Sequence, residues 1–206
     1  MPFNDVELGN ISEMHYNISD IKKNIIGKLK KNLPDHLTYH NVEHTLYVVD
    51  KSAFISKKEK ISAHDKQLVY IAALYHDSGF MIGPKDHEET SCKIARKDLK
   101  NIVSKEDLDK ICGMIMATKI PQNPQTHCER ILADADLEYL GTKSFWETGD
   151  LLYKEIKHFN SKFSINDWNK LQVSFLENHQ YKTSFCRQYR EKYKKKHLKR
   201  LKRMVK

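Results

Sequence analysis

The sequence contains few residues that break helices, with only 7 Gly and 5 Pro in 206 residues. No stretch approaches the roughly 18 apolar residues that a membrane-spanning helix needs, and no segment alternates apolar and polar residues as a half-buried strand does. Segment 1–5 (MPFND) lacks the basic-then-apolar layout of a secretion signal. These absences predict a cytoplasmic, helical protein without a membrane span.

Cysteine is also scarce, and none of the four cysteines belongs to a C-x-x-C pair. The spacing disfavours a zinc ribbon or a thioredoxin-like motif. A disulfide framework would be unusual in a chain of this size and expected compartment. Cys112 falls on the apolar face of a predicted helix, which favours a position in the core.

Positive charge is concentrated at one end of the chain. The formal net charge is +9, but residues 187–206 alone carry eleven Lys or Arg against one acid, Glu191, so the remainder is close to −1. A basic protein suggests nucleic-acid binding when its charge covers the whole domain. Here the charge belongs to the tail, which leaves two interpretations: a surface for nucleic acid or anionic lipid, or a solubilising helical end.

Apolar residues recur every three or four positions along most of the chain, which predicts helices. The clearest begins at Ser104, a plausible N-cap, and has its apolar face at Leu108, Ile111, Cys112 and Ile115. We predict an all-α, irregular helical bundle in a single domain over residues 1–206. Its other helices are expected at about 19–33, 41–56, 64–75, 87–101, 131–140, 144–160, 167–178 and, in the basic tail, 184–206.

Histidines number 11, and one motif, YHNVEHT at 39–45, places two of them four residues apart. His40 and His44 would share one face at the start of a helix. The helix dipole disfavours a protonated imidazole there, which favours a neutral, metal-binding His44. The alternative is a pair of surface histidines at a helix N-terminus.

Two further motifs combine apolar surroundings with acids. His76-Asp77 ends an apolar helix, and burying both side chains without a partner would cost several kcal/mol, which a divalent cation would offset. In ILADADL, Asp134 and Asp136 are two residues apart, so they cannot share a helical face and should have different roles. The alternative for this segment is an N-cap Asp followed by an acid in the first helical turn.

One histidine of YHNVEHT, the pair His76-Asp77 and one aspartate of ILADADL together supply two imidazoles and two carboxylates. This mixed nitrogen and oxygen set suits Mn, Fe, Co, Ni, Zn or Mg better than thiolate-preferring metals. A divalent ion with these ligands would retain positions for a water and a phosphate oxygen. It would acidify the water and polarise the phosphoryl group.

The order His44, His76-Asp77, Asp134 resembles the H…HD…D pattern of the HD-domain metal-dependent phosphohydrolases. The segments around it are similar to a bacterial branch known as predicted HD-superfamily phosphohydrolases, over about residues 34–200: YHNVEHT, AALYHDSGF, HEETSCKIA, ATK, ILADADLEYLG and FLENHQYKTSFCRQY. The resemblance implies a helical core with a metal held by His44, His76, Asp77 and Asp134. Asp134 is chosen over Asp136 because the family ligand is usually the first acid of such a D-x-D-L run.

The YHNxxH segment is also similar to that of cyclic-nucleotide phosphodiesterases, in which the first histidine gives a proton to the leaving oxygen. This likeness implies His40 as general acid and Asp77 as a metal ligand that also orients the attacking water. Dinuclear family members usually add two histidines after the HD pair, and here His87 and Thr118 occupy those positions. We therefore expect one tightly bound ion.

The roles of four further residues stay open at this point. His87 either neighbours a helix N-cap or belongs to a weak second metal site. Asp136 would orient a histidine. Lys85 and Lys119 are candidates for binding the phosphate, with a solvated surface position as the alternative.

The sequence thus predicts a metal-dependent phosphohydrolase or phosphodiesterase acting on a small phosphorylated substrate, with a nucleotide favoured. One alternative is a nucleic-acid- or anionic-surface-binding protein that acts through the basic helix. Nucleic acid is not favoured, because Tyr189 and Tyr193 are the tail's only aromatics for base stacking. The other alternative is a non-catalytic HD domain that senses a ligand.

Overall fold

In a computed structural model of the protein, residues 16–205 are described, and this part of the chain is all-helical, as predicted. Segment 1–5, on which the secretion-signal expectation depends, lies outside the described residues. Two 3₁₀ turns, Ser78–Met81 and Glu138–Gly141, accompany ten α-helices along residues 16–205. The α-helices are α1 Ile18–Asn32, α2 Val42–Lys58, α3 Ala63–Tyr75, α4 His87–Leu99, α5 Lys105–Met116, α6 His127–Asp136, α7 Phe145–Phe159, α8 Ile165–Asn178, α9 Ser184–Tyr189 and α10 Glu191–Met204.

Short polar side chains fix where several of these helices begin. Ser104 caps α5 by accepting a hydrogen bond from the backbone N–H of Asp107, at 3.1 Å. Asn41 caps α2 through the N–H of His44, at 3.0 Å. In α1 the cap is Asn17 rather than the predicted Ser19, because the Asn17 side chain accepts the free N–H in the first turn.

Helix α3 lies at the centre of the bundle. It packs against α1, α2, α4, α5 and α6, and seven of its residues, from Leu68 to Tyr75, are buried. The predicted inward face of α5 is buried, and Cys112 on that face contacts Cys92 of α4. All four cysteines are free thiols. A helix enclosed on so many sides carries the residues that follow it, His76 and Asp77, into the protein interior.

Two helices differ from the prediction near the end of the chain. The helix expected at about 131–140 runs from His127 to Asp136 and then tightens into the 3₁₀ turn Glu138–Gly141. The helix expected from 184 onwards is divided at Arg190 into α9 and α10. Gly141 packs directly on this division, since a Cβ on Gly141 would lie 2.6 Å from the Arg190 carbonyl oxygen. The Arg190 guanidinium also pairs with Glu138 of the same turn, so contacts with the turn accompany the break.

The basic helix α10 is packed on the bundle. Leu201 is fully buried, and α10 contacts α8. The Lys194 ammonium is also buried, 3.1 Å from the Glu191 carboxylate and 2.5 Å from the His179 carbonyl oxygen. None of the helices in residues 16–205 is long and apolar enough to cross a membrane.

Gly79 provides a test of how closely the turn after α3 packs. Its N–H donates to Ser91 Oγ at 2.8 Å, and a Cβ at this position would lie 2.0 Å from the His87 carbonyl oxygen. We predict that Gly79→Ala lowers the free energy of unfolding by about 1–3 kcal/mol, because backbone atoms have to move. Urea unfolding measures this change.

Gly83→Ala is the matched control, because nothing lies within 4 Å of a Cβ at Gly83. Its free energy of unfolding should stay within about 0.5 kcal/mol of the wild type. Two variants of equal stability would contradict the close packing of the turn on α4.

Candidate metal centre

Two imidazoles and two carboxylates converge where α2, α3 and α6 meet. His44 lies in the first turn of α2, His76 and Asp77 follow α3, and Asp136 ends α6. The His44 and His76 Nε2 atoms are 3.4 Å apart, and Asp77 Oδ2 lies 3.3 Å from the first and 3.2 Å from the second. Asp136 Oδ1 lies 3.2 Å from His44 Nε2 and 3.7 Å from His76 Nε2.

This spacing fits atoms that share one metal ion. Nitrogen and oxygen ligands about 2.1 Å from an ion lie roughly 3.0–3.4 Å apart in octahedral or tetrahedral arrangements. Asp77 Oδ2 is buried and makes no hydrogen bond within the described residues, although two imidazole nitrogens lie close to it. A cation would satisfy this oxygen, whereas leaving it unpaired is costly. The donor set of His44, His76 and Asp77 therefore fits a divalent ion.

The hydrogen bond behind His76 prepares its ring for metal binding. His76 is fully buried, and its Nδ1 lies 2.8 Å from the Ala73 carbonyl oxygen. Because a carbonyl oxygen only accepts, Nδ1 carries the hydrogen. In the neutral ring, the lone pair is then on Nε2, which faces the cluster.

The charges of the cluster stabilise one another. Burial lowers the pKa of His44 and of His76, but Asp77 and Asp136 outweigh this effect and raise both. Burial raises the pKa of each carboxyl, yet the imidazoles hold the pKa of Asp77 well below its usual range and lower that of Asp136 to about 2. A metal ion would take the place of the imidazole protons.

Asp134 does not reach this cluster, which corrects its choice as the fourth ligand. Its carboxylate accepts hydrogen bonds from the N–H groups of Lys182 and Thr183, each at 2.8 Å, and from the Thr183 hydroxyl at 2.6 Å. Thr183 in turn caps α9. Residues two apart on a helix project about 200° apart. Asp136 faces the imidazoles, so Asp134 is turned away and supports the start of α9.

The spacing predicted that His40 and His44 share one helical face. His40 instead lies before the N-cap Asn41, outside the helix. The two rings are nevertheless neighbours, with centroids 6.0 Å apart. The His40 ring stacks on Phe80 at a centroid distance of 4.0 Å. The chain therefore brings His40 to the cluster through the turn that precedes α2.

Glu155 of α7 holds His40 in place. Glu155 Oε1 lies 2.5 Å from His40 Nδ1, and Oε2 accepts the N–H groups of Tyr39 and His40 at 2.8 and 3.0 Å. Burial raises the pKa of Glu155, but the hydrogen bond and charge of His40 and the two N–H groups lower it overall. The sequence analysis missed this residue, since no local pattern links α7 to a turn 115 positions earlier.

His87 faces the other oxygen of Asp77. Its Nε2 lies 3.5 Å from Asp77 Oδ1 and 3.5 Å from Glu88 Oε1. His87 is also the first residue of α4, directly after the N-cap Asp86. The first interpretation, a neighbour of the helix N-cap, thus describes its position, and a second metal site at His87 stays a prediction. Glu88, which is buried, was missed because an acid in a first helical turn is ordinary.

Neither lysine proposed from the sequence reaches the cluster. The Lys119 ammonium lies 2.5 Å from Glu89 and 3.4 Å from Asp86, so nearby acids hold it. Lys85 is exposed in the turn before α4. Neither lines the cavity beside the cluster, and phosphate contact by either lysine stays a prediction.

That cavity has a volume of about 230 Å³ and opens beside the cluster. Its polar end is formed by His40, Asp77, His87, Glu88 and Asp136. Most of its remaining wall is apolar and comes from α7, α8 and the 3₁₀ turn before α7. A small molecule could therefore place a polar group at the cluster and the rest of itself between these helices.

The two acids of α6 offer a matched pair of variants. We predict that Asp136→Asn lowers the bound metal severalfold with little effect on folding. Asp134→Asn should keep its metal but lower the free energy of unfolding by about 1–3 kcal/mol, because a buried network at α9 is disturbed. Elemental analysis after dialysis against Mn²⁺ and urea unfolding measure the two effects. Metal lost from Asp134→Asn but kept by Asp136→Asn would contradict the geometry.

Comparison with known proteins adds a family and a fold. Residues 41–138 match the family model of the HD domain. A crystal structure of a predicted HD superfamily hydrolase from an uncultured Thermotogales bacterium is 20% identical, covers 97% of each chain and has a TM-score of 0.62. Bacillus subtilis YpgQ in complex with ADP is 19% identical, covers 91% of this chain and 96% of its own, and has a TM-score of 0.53. No curated protein matches the sequence. At these identities the likeness establishes the fold.

Proposed function

We propose that this chain, whose residues 41–138 match the family model of the HD domain, is a metal-dependent phosphohydrolase. The observation that carries the proposal is the cluster of His44, His76 and Asp77 at the polar end of a cavity, with Asp136 Oδ1 3.2 Å from His44 Nε2. A buried carboxylate oxygen without a hydrogen bond lies in that cluster. This arrangement suits a cation that contacts a bound substrate.

The four residues would hold a divalent ion, with Asp136 in the place that the sequence had assigned to Asp134. Mixed imidazole and carboxylate ligation suits Mn, Fe, Co, Ni, Zn or Mg. When bound, such an ion supplies an acidified water and polarisation of the phosphoryl group. Asp77 uses Oδ2 toward the two imidazoles and Oδ1 toward His87, so it could orient the water while it binds the ion.

His40 is the residue best placed to handle the proton of the leaving group. A carboxylate only accepts hydrogen bonds, so Nδ1 of His40 donates to Glu155. The other ring nitrogen, Nε2, is then the one that can give a proton to a leaving oxygen in the cavity. Glu155 acts through His40 and is a positioning residue.

The substrate proposed from this site is a small phosphate ester. A nucleotide is one candidate, supported by the structure of YpgQ with ADP, which shares the fold. Hydrolysis of a monoester and of a diester would place the same demands on the ligands and on His40. The experiment below therefore uses both monoesters and diesters as substrates.

The proposed activity is tested by phosphate release from wild-type protein with Mn²⁺, after EDTA treatment, and after Mn²⁺ is restored. A panel of mono- and diesters is used, with colorimetric phosphate or chromatographic detection of the alcohol. We expect hydrolysis that EDTA abolishes and Mn²⁺ restores. Bound metal without turnover of any ester would contradict the proposal and favour the ligand-sensing alternative.

His40→Gln tests the proton donor separately from the metal. We predict that kcat falls by about 10²–10⁴-fold, the usual contribution of general acid–base catalysis, while the metal content stays at the wild-type value. Steady-state kinetics and elemental analysis measure the two effects. His158→Gln, at an exposed position outside the cavity lining, is the control. A His40→Gln enzyme with wild-type kcat would remove His40 from the mechanism.

Glu155→Gln tests the positioning of that proton donor. We expect a smaller loss in kcat than for His40→Gln with KM close to the wild-type value, because the ring loses the carboxylate that orients it. A purely structural role would lower the free energy of unfolding and leave kcat of the folded enzyme unchanged. Steady-state kinetics and urea unfolding distinguish the two.

A further inference from the structure

We propose that the substrate is a phosphate monoester of an apolar alcohol, whose hydrocarbon group occupies the cavity beside the metal centre. The inference rests on the proposed phosphohydrolase function and names its substrate class. It is carried by three features of the cavity: an apolar wall, a lining without Lys or Arg, and an apolar entrance.

The wall away from the cluster is made of large apolar side chains. It includes Leu140, Phe145, Leu152, Ile156, Trp168 and Leu176. Few polar side chains in the rest of the lining are available to a sugar. The Thr118 hydroxyl already donates to the Ile115 carbonyl oxygen at 2.8 Å, which leaves Gln172, two tyrosines and the indole N–H of Trp168. Ribose hydroxyls buried here without partners would be costly, whereas hydrocarbon gains free energy from burial.

The charge of the lining limits the number of phosphoryl groups. Three carboxylates line the cavity, those of Asp77, Glu88 and Asp136, and none of its described lining residues is Lys or Arg. Sites for several phosphates usually use such cations. Lys119, which lies near the entrance residue Ile120 in sequence, is held by Glu89 and Asp86. One phosphoryl group at the metal centre matches this lining better than the two or three of a nucleoside polyphosphate.

The entrance is apolar as well. Ile120 and Leu171 line the cavity, yet their side chains are 53% and 47% exposed. Large apolar side chains at the rim of a cavity are typical of a site that receives an apolar ligand. A hydrocarbon group would therefore have a continuous apolar path from solvent to the wall of α7 and α8.

The reaction that follows is balanced without a further reactant. The oxygen of water forms a bond to phosphorus, and the bond from phosphorus to the alcohol oxygen breaks. The alcohol oxygen leaves with the electron pair of the broken bond and takes a proton from His40. The proton released by the attacking water restores the proton on His40. Ester and water thus give the apolar alcohol and inorganic phosphate.

The test compares three substrates with the Mn²⁺-loaded full chain: n-octyl phosphate, glycerol 1-phosphate and ADP. The first two have the same phosphoryl group on a primary alcohol and differ in the apolarity of that alcohol. We expect kcat/KM for octyl phosphate to exceed both others by at least about tenfold, because each buried methylene adds to binding. Octylphosphonate, which is not hydrolysed, should also bind at least about tenfold more tightly than methylphosphonate by calorimetry.

Leu171→Gln tests whether the preference for octyl phosphate over glycerol phosphate arises in this cavity. Leu171 is half-exposed, so the variant should fold, and kcat/KM for octyl phosphate should fall about fivefold with little change for glycerol phosphate. Ile165→Gln is the matched control, since Ile165 is 52% exposed on the same helix and does not line the cavity. Equal losses of kcat/KM for octyl phosphate in the two variants would contradict the role of Leu171 as part of an apolar entrance.

The outcomes separate this inference from the activity on which it rests. Hydrolysis of ADP or glycerol phosphate at least as efficiently as octyl phosphate would overturn the substrate class and leave the phosphohydrolase standing. Absence of hydrolysis of all three substrates by a metal-loaded wild type that hydrolyses another ester of the panel would overturn the substrate class alone, and absence of hydrolysis across the whole panel would overturn both.

Discussion

The burial of the Asp77 carboxylate beside two imidazoles is the constraint on which the rest of the structure depends. Asp77 and Asp136 bring two negative charges to the nitrogens of His44 and His76. Without a cation, either the imidazoles hold protons that burial disfavours, or one oxygen of Asp77 is left without a hydrogen bond. A divalent ion removes either cost, because it neutralises the two carboxylates and uses the imidazole lone pairs.

The helical bundle positions this cluster with buried, rigid elements. α3 is enclosed by five other helices and delivers His76 and Asp77 to the interior. The Ala73 carbonyl fixes the ring of His76, and the α2 N-cap fixes the first turn that carries His44. Glu155 orders the turn that presents His40. Catalytic groups held this way need little reorganisation before a reaction.

The sequence predicted the parts of the site that have local signals. Helix α3 could be identified from its apolar period, and His76-Asp77 follows it directly. The local sequence could not decide between Asp134 and Asp136, because the choice depends on the rotation of α6. Asp134 is also engaged by three hydrogen bonds from residues 182 and 183, which are distant in the sequence. Glu155 and the pairing of Lys119 with acids of the α4 region are likewise long-range contacts that one sequence does not reveal.

The cavity also depends on tertiary packing. Its polar end comes from the first half of the chain and Asp136, whereas its apolar wall comes from α7 and α8, which lie beyond residues 41–138. The part of the chain that matches the family therefore supplies the cluster, and the part outside that match supplies most of the surface that would contact the alcohol. Differences in substrate among proteins with such a cluster could arise in this second part.

The most direct test of the metal centre is an anomalous difference map from crystals grown with Mn²⁺. We predict one strong peak between the Nε2 atoms of His44 and His76, Asp77 Oδ2 and Asp136 Oδ1. The Asp134 carboxylate should remain on Thr183. No peak at this point, or a peak that Asp134 ligates in place of Asp136, would contradict the account.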